Sequence, residues 1–127
     1  MAEIEHFVAP HRKDHVKFDT VKDMRLTLFP GDHQVGDGRT VTPTLGEAVA
    51  TGVINNQTLA YFMARTHAFL LRAGINPEGL RFRQHLRTEM AHYACDCECG
   101  GGGGAGGGGL SAPSCPLSAR ASTVARP

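Results

Sequence analysis

LRFRQHLRTEMAHYACDC, residues 80–97, holds the densest set of chemically active side chains in this chain. Its first residues alternate between apolar and basic, which predicts a short strand over Leu80–Arg83 with one buried face. From Leu86 the period changes, which predicts a helix. Its apolar face would be formed by Leu86, Met90, Ala91 and Ala94.

The polar residues of this stretch predict a local network of ion pairs and hydrogen bonds that ties the strand to the helix. Arg83, Glu89 and His92 would form it, and no nucleophile is placed to make a catalytic triad with them. We therefore assign a structural role to Arg83, His85, Glu89 and His92.

The bulk composition excludes several classes of protein. The chain has thirteen Lys and Arg and twelve Asp and Glu. It lacks the basic block that binds phosphates, so charge alone gives no argument for nucleic-acid binding. No apolar run approaches the roughly 18 residues that would span a bilayer. The acidic N-terminus does not resemble a secretory signal, and four cysteines, three of them crowded together, form no disulfide framework. The composition predicts a soluble intracellular protein without a membrane partner.

The first residues of the chain alternate strictly, which predicts a half-buried strand over Ala2–Val8. Glu3 and Glu5 fall on the same face of that strand. If the face meets solvent, both carboxylates are simply hydrated, as most are. The alternative is that they line a pocket and hold a cation or an ammonium group.

The middle of the chain predicts a second strand and two helices. Met24–Phe29 alternates and stops at a Pro-Gly turn, and Gly31–Pro43 is predicted to be a loop. A Thr44-x-x-Glu47 capping box opens a short helix through about Thr51. Asn55 or Asn56 then caps a second helix, whose stripe of Leu, Met and Phe predicts core packing up to Gly74.

The end of the chain has a different composition. Gly100–Gly109 is glycine with a single alanine, and a segment rich in Ser, Ala, Pro and Arg follows it. Such a composition is typical of a flexible coil, which buries too little apolar surface to offset the entropy of ordering. We therefore divide the chain into residues 1–97 and a disordered tail over residues 98–127.

Four strings resemble the eukaryotic-type glycyl-tRNA synthetases, which are dimeric class II enzymes. The strings are MAEIEHF (1–7), NNQTLAYF (55–62), LRFRQHL (80–86) and EMAHYACDC (89–97), in the order expected for that family. The resemblance implies an α+β fold: part of a class II catalytic domain, with antiparallel strands and flanking helices. The second motif of the family ends in a strand close to REFTMAEIEHF, so the chain would start at the end of that motif.

The resemblance also implies an activity and its participants. The family activates glycine with ATP and Mg²⁺, transfers it to tRNA(Gly) and works as a homodimer, in the cytoplasm or in an organelle. The first glutamate of EIEHF contacts the ammonium group of glycine, which carries over to Glu3. Glu5 is a weaker candidate for the same contact. Glycine has no side chain to recognise, so an ionised carboxylate that binds its ammonium group fits the task.

The chain also departs from the family pattern. The arginine of the second motif, the third motif and the anticodon-binding domain have no counterpart in residues 1–127. We therefore expect a fragment of the catalytic domain that is inactive alone and synthesises no glycyl adenylate.

Two other interpretations remain open. The chain could be a non-enzymatic remnant that binds a synthetase subunit or another partner through an apolar face. It could also be a small zinc module with ligands from His92, Cys95, Cys97 and Cys99. The Cys-x-Cys-x-Cys spacing disfavours zinc, because two thiolates on one ion usually stand two residues apart.

Overall fold

The computed structural model describes residues 2–9, 11–86, 88–89, 94–102 and 119–125. These residues form one five-stranded sheet and three helices. The strands are β1 (Ala2–Val8), β2 (Leu28–Phe29), β3 (Leu80–Gln84), β4 (Ala94–Gly102) and β5 (Ala119–Ala125). The helices are α1 (Gly31–Val35), α2 (Leu45–Ala50) and α3 (Gln57–Arg72), and single 3₁₀ turns cover Phe18–Thr20 and Pro77–Gly79.

The sheet is mixed, in the order β1-β5-β4-β3-β2. The pairs β1–β5 and β2–β3 are parallel, whereas β3–β4 and β4–β5 are antiparallel. The coarse outline of the prediction, a small fold that combines helices and strands, is therefore confirmed. The prediction of antiparallel strands is right for two of the four pairings and wrong for the other two. The connections between the parallel partners contain the helices and long loops that parallel pairing requires.

Both longer helices begin where the capping residues predict. The Thr44 hydroxyl accepts a hydrogen bond from the Glu47 amide, and the Glu47 carboxylate accepts one from the Thr44 amide, which completes the capping box of α2. The side chain of Asn56 accepts from the Leu59 amide at 2.9 Å and caps α3. Gly52 and Gly74 follow the two helices with positive φ angles, which glycine adopts without steric cost.

The core lies between α2, α3 and the β2–β3 side of the sheet. Its most deeply buried large side chains are Phe82, Leu26, Leu45, Ile54, Leu59 and Met63. The apolar stripe of α3 contributes Leu59, Met63 and Leu70 as predicted, but Phe69 is 66% exposed. In β3, Leu80 and Phe82 are buried and Arg81 is exposed, so the predicted alternation is confirmed.

The segment before Pro30 is less regular than predicted. Leu26 and Leu28 are buried, but only Leu28–Phe29 forms a strand. Isolated bridges join Arg25 to Thr44 and Leu28 to Val41, so the segment changes partners along its length. The predicted loop after it contains the short helix α1.

The structure also differs from the prediction around and after residue 86. Thr88 and Glu89 lie in a turn and Ala94 opens β4, so the predicted helical face does not extend to Ala94. Residues 98–102 and 119–125, which fall in the predicted disordered tail, belong to β4 and β5. A strand ladder uses backbone groups alone, and Gly100–Gly102 find those partners on β3.

The cap of α3 provides a test of this helix. Asn56→Ala removes the side-chain oxygen that accepts from the Leu59 amide, at a position that is only 5% exposed. We expect a loss of about 1 kcal/mol in the free energy of unfolding, measured by urea titration. Asn56→Ser keeps a capping oxygen and should retain most of the stability. Equal losses in the two variants would contradict the capping role.

Candidate functional site

The backbone of β1 carries the two glutamates predicted to bind substrate. Glu3 stands opposite Arg120 and Glu5 opposite Ser122 in the parallel pairing with β5. Across the sheet, the residues in register with Glu3 are Arg120 on β5, Cys99 on β4 and Arg83 on β3. Three strand spacings separate Glu3 from Arg83, about 14 Å. The structure therefore does not bring the predicted substrate glutamates and the predicted structural network into one site.

Four aromatic and imidazole rings join β1 and the loop that follows it to α3. The His6 ring stacks on Phe62 at a centroid distance of 3.5 Å, and His15 stacks on Tyr61 at 4.0 Å. Tyr61 and Phe62 meet edge to face at 5.2 Å. Burial, with a smaller contribution from the neighbouring His15, lowers the pKa of His6. This ring cluster, His6, His15, Tyr61 and Phe62, fixes the end of β1 against the helix.

The loop between β1 and the core is also tied to the start of α3. The carbonyl of Lys13 accepts from the Thr58 hydroxyl at 3.0 Å and from the Thr58 amide at 3.2 Å. The His15 amide donates to the Gln57 side chain at 3.2 Å. These bonds, with the ring cluster, bind a polar loop to the helix over its first two turns.

The predicted network around Arg83 forms at the other side of the sheet. Arg83 donates through Nη2 to Glu89 Oε1 at 2.9 Å and through Nη1 to Gln34 Oε1 at 2.7 Å. The second oxygen of Glu89 accepts from the Leu86 amide at 2.9 Å. The hydrogen bond from Arg83, followed by that from the Leu86 amide, lowers the pKa of Glu89. The network ties β3 to the turn after it, and His92 lies outside the described residues.

Two glutamines that the sequence did not single out complete this network. Gln34 Nε2 donates to the carbonyl oxygens of Gln84 at 2.7 Å and of Phe29 at 3.1 Å. Gln84 Oε1 in turn accepts from the Gly31 amide at 2.9 Å. These contacts fix α1 to the ends of β2 and β3. No local pattern reveals them, since Gln34 and Gln84 stand 50 residues apart.

A cleft of about 570 Å³ opens beside this network, and His85 lines it. Its walls come from α1, from the connection between α2 and α3, and from the end of β3. The residues that line it are Pro30, Gly31, Asp32, His33, Val35, Val41, Thr51, Gly52, Val53, Asn55, Gln84, His85 and Leu86. The cleft lies on the β2–β3 side of the sheet, with β4 and β5 between it and β1.

Neither a metal cluster nor a membrane span is found in the described part of the chain. No group of three or more His, Cys, Asp or Glu side chains there is arranged to hold a metal ion. His92 lies outside it, so the zinc interpretation stays untested. None of the helices described is long and apolar enough to cross a membrane.

Comparison with known proteins confirms the resemblance seen in the sequence. A glycine–tRNA ligase of Drosophila melanogaster is 54% identical over 96 residues, which are 76% of this chain and 12% of that protein. The mitochondrial glycine–tRNA ligase 1 of Saccharomyces cerevisiae is 51% identical over 97 residues, 76% of this chain and 14% of that protein. A relative in Arabidopsis thaliana, named as a cytoplasmic glycine–tRNA ligase, is 50% identical over 97 residues, 76% of this chain and 21% of that protein.

These similarities define how far the relationship reaches. The chain spans between about an eighth and a fifth of the length of these three relatives. Such shares are consistent with the expected fragment of a glycyl-tRNA synthetase. No model of a known protein family matches the chain.

The Arg83–Glu89 pair makes stability depend on acidity. Because the folded-state pKa of Glu89 is below its ordinary value of 4.5, the pair stabilises the fold above that pH and the contribution is lost as the pH falls through the lower folded-state value. Glu89→Gln should cost about 0.2–1 kcal/mol at pH 7 and less at pH 3, by urea titration, since the pair is partly exposed. Asp37→Asn, in the more exposed Arg39 pair, is the control and should change stability less.

The ring cluster makes stability depend on pH in the same direction, through a base whose pKa is lowered. The pKa of His6 lies below its ordinary value of 6.5, so its contribution to stability is present above pH 6.5 and is lost as the pH falls. His6→Phe keeps the stack and removes the titration. Between pH 8 and pH 5 the wild type should therefore lose more stability than His6→Phe. Equal losses, or an NMR titration of His6 with a pKa above 6.5, would contradict this.

Proposed function

We propose that this chain supplies the glycine-recognising part of a glycine–tRNA ligase, with ATP, Mg²⁺ and tRNA(Gly) as the other participants in the intact enzyme. The observation that supports this most is the identity of 50–54% to glycine–tRNA ligases over about three quarters of the chain. We further propose the class II catalytic fold, a homodimeric ligase and a cytoplasmic location, with an organellar copy as the alternative.

The ligase reaction has two steps. The carboxylate of glycine attacks the α-phosphorus of ATP and displaces pyrophosphate, and a terminal ribose hydroxyl of the tRNA then attacks the adenylate carbonyl and releases AMP. Both steps need glycine held by its ammonium end, with its carboxylate free to react. A fixed carboxylate on the protein performs that task, because it pairs with the ammonium group through charge-assisted hydrogen bonds.

In this proposal Glu3 accepts hydrogen bonds from the glycine ammonium group and Glu5 assists at the neighbouring position of β1. Selectivity comes from the absence of room for a larger side chain beside that contact. The ammonium contact itself rejects analogues that lack this group, because the carboxylate would then be left without its partner.

The surroundings of β1 support a rigid placement of these glutamates. The strand pairs with β5 over all seven of its residues, from Ala2 to Val8. One residue beyond Glu5, the His6 ring stacks on Phe62, whose helix packs into the core. Binding groups held on a strand that neighbours fix on two sides lose little freedom when the ligand binds.

The network of Arg83 and Glu89 supports the scaffold in this proposal and does not touch substrate. The hydrogen bonds described for it join groups of α1, β2, β3 and the turn after β3. Substituting a residue that acts in this way should affect the stability of the domain more than the affinity for glycine.

Glycine titration into the full chain, followed by calorimetry or by ligand-observed NMR, tests the proposal. Glu3→Gln removes the charge and keeps the shape, and we expect binding at least about tenfold weaker, as the loss of a charge-assisted hydrogen bond predicts. Glu5→Gln should weaken binding less.

Two controls accompany this experiment. Glu78→Gln alters an exposed carboxylate in the turn after α3 and should leave glycine binding unchanged. N-acetylglycine lacks the ammonium group and should not bind the wild type. Glycine binding that is equal in Glu3→Gln and wild type would refute the assignment of Glu3.

A further inference from the structure

The outer face of α3 changes character halfway along the helix. Over the first two turns this face carries Tyr61 and Phe62, which the histidine rings cover. Over the last two turns it carries Arg65, Phe69 and Arg72, all of them exposed. The Phe69 side chain is 66% exposed although neighbouring Leu70 is only 3% exposed. A large aromatic ring is thus left in water between two arginines.

The spacing of these three residues is regular. They stand at positions i, i+4 and i+7, which places them on one side of an α-helix. The rise per residue puts Phe69 about 6 Å along the axis from Arg65 and about 4.5 Å from Arg72. We call Arg65, Phe69 and Arg72 the Arg-Phe-Arg face. Small Ala68 lies beside it and leaves the ring accessible.

The charge of this face is not neutralised within the described part of the chain. Helix α3 contains no aspartate or glutamate. The ion pairs found among the described residues involve Lys22, Arg39 and Arg83 instead. The face therefore presents two guanidinium groups with no carboxylate partner in that part of the chain.

The loop at the start of α3 is also basic. The loop that binds the start of α3 includes Arg12, Lys13 and Lys17 against one acid, Asp14. Arg12 and Lys17 are exposed. Basic side chains thus lie both in the loop at the start of α3 and on its last two turns, although the whole chain has a formal net charge of only +1.

We propose that the Arg-Phe-Arg face binds unpaired nucleotides of an RNA, with the transfer RNA of the proposed function as its partner. The inference rests on that function for the identity of the RNA. The ring of Phe69 stacks on a nucleobase, and the guanidinium groups on either side bind the phosphates that flank it. Aromatic stacking combined with a positive groove is the usual way in which proteins hold single strands.

This occupant fits the face better than two others do. In a twofold dimer through α3, the arginines of one copy would meet those of the other, and like charges in contact oppose association. An acidic peptide would satisfy Arg65 and Arg72 but would offer no flat surface to Phe69. A single-stranded RNA uses both the charges and the ring.

Fluorescence anisotropy with a labelled single-stranded RNA dodecamer and the full 127-residue chain tests the proposal. Arg65→Gln/Arg72→Gln should weaken binding at least about tenfold at low salt. It should also reduce the slope of log K against log salt by about 1.4, the loss of two phosphate contacts. Phe69→Ala should weaken binding about tenfold with the slope unchanged, whereas Phe69→Tyr keeps a ring and should bind like the wild type.

The controls distinguish RNA binding by the Arg-Phe-Arg face from RNA binding by any exposed positive charge. Arg39→Gln removes an exposed arginine far from α3 in sequence, one that is paired with Asp37, and it should bind RNA like the wild type. Wild-type affinity in both the double arginine variant and Phe69→Ala would overturn the proposal. A polyglutamate peptide that competes as well as unlabelled RNA of equal charge would overturn it in favour of an acidic protein partner.

The outcome is independent of the glycine experiment. Glycine titration of Arg65→Gln/Arg72→Gln should match the wild type, because the substituted residues lie on α3 and the proposed glycine contact lies on β1. RNA binding that depends on Phe69 in a chain that binds no glycine would retain the RNA surface and refute the glycine site. Glycine binding together with RNA binding that does not depend on Phe69 would retain the glycine site and refute the RNA surface.

Discussion

The placement of β3 between β2 and β4 is the constraint on which the rest of this structure depends. Its alternation buries Leu80 and Phe82 in the core, and the Phe82 amide donates to the Thr27 carbonyl at 2.8 Å. The arginines between them lie on the other face of the strand. Arg81 lies over the Phe29 ring, 5.7 Å from its centroid, and Arg83 donates hydrogen bonds to Gln34 and Glu89. A slip of one residue would exchange these two sets and put guanidinium groups into the core, so the register is strongly specified.

The parts of the fold that the sequence predicted are those whose determinants are local. The capping box of Thr44 and Glu47 and the cap at Asn56 act within one helical turn, and the burial of Leu59 and Met63 follows from helical spacing alone. The sheet order depends on pairings between segments far apart in the chain, such as Leu28 with Phe82. The composition predicted disorder at Gly100–Gly102, where the structure has a strand, because a backbone ladder needs no side chains.

The candidate site divides in the same way. The Arg83–Glu89 pair could be predicted because its members stand six residues apart, across a single turn. Gln34 lies in a segment without any periodic pattern, so its contacts with β3 could not be predicted. The contacts of His6 and His15 could not be predicted either, because their partners Tyr61 and Phe62 lie more than 40 residues further along the chain. Contacts over such distances are set by tertiary packing, which a single sequence does not reveal.

The two faces of α3 connect these separate regions. One face contributes Leu59, Met63 and Leu70 to the buried set beside β3, while the adjoining face holds β1 through Phe62, which also packs against the edge of the core. The last turns of α3 extend beyond the ring cluster, where Leu70 is still buried and Phe69 is uncovered. Burying that ring against the core would require turning α3 about its axis, which would expose Leu70 and break the stack of Phe62 on His6. The exposure of Phe69 is therefore a consequence of two contacts on which the described part of the fold depends, and it leaves the ring open to a partner.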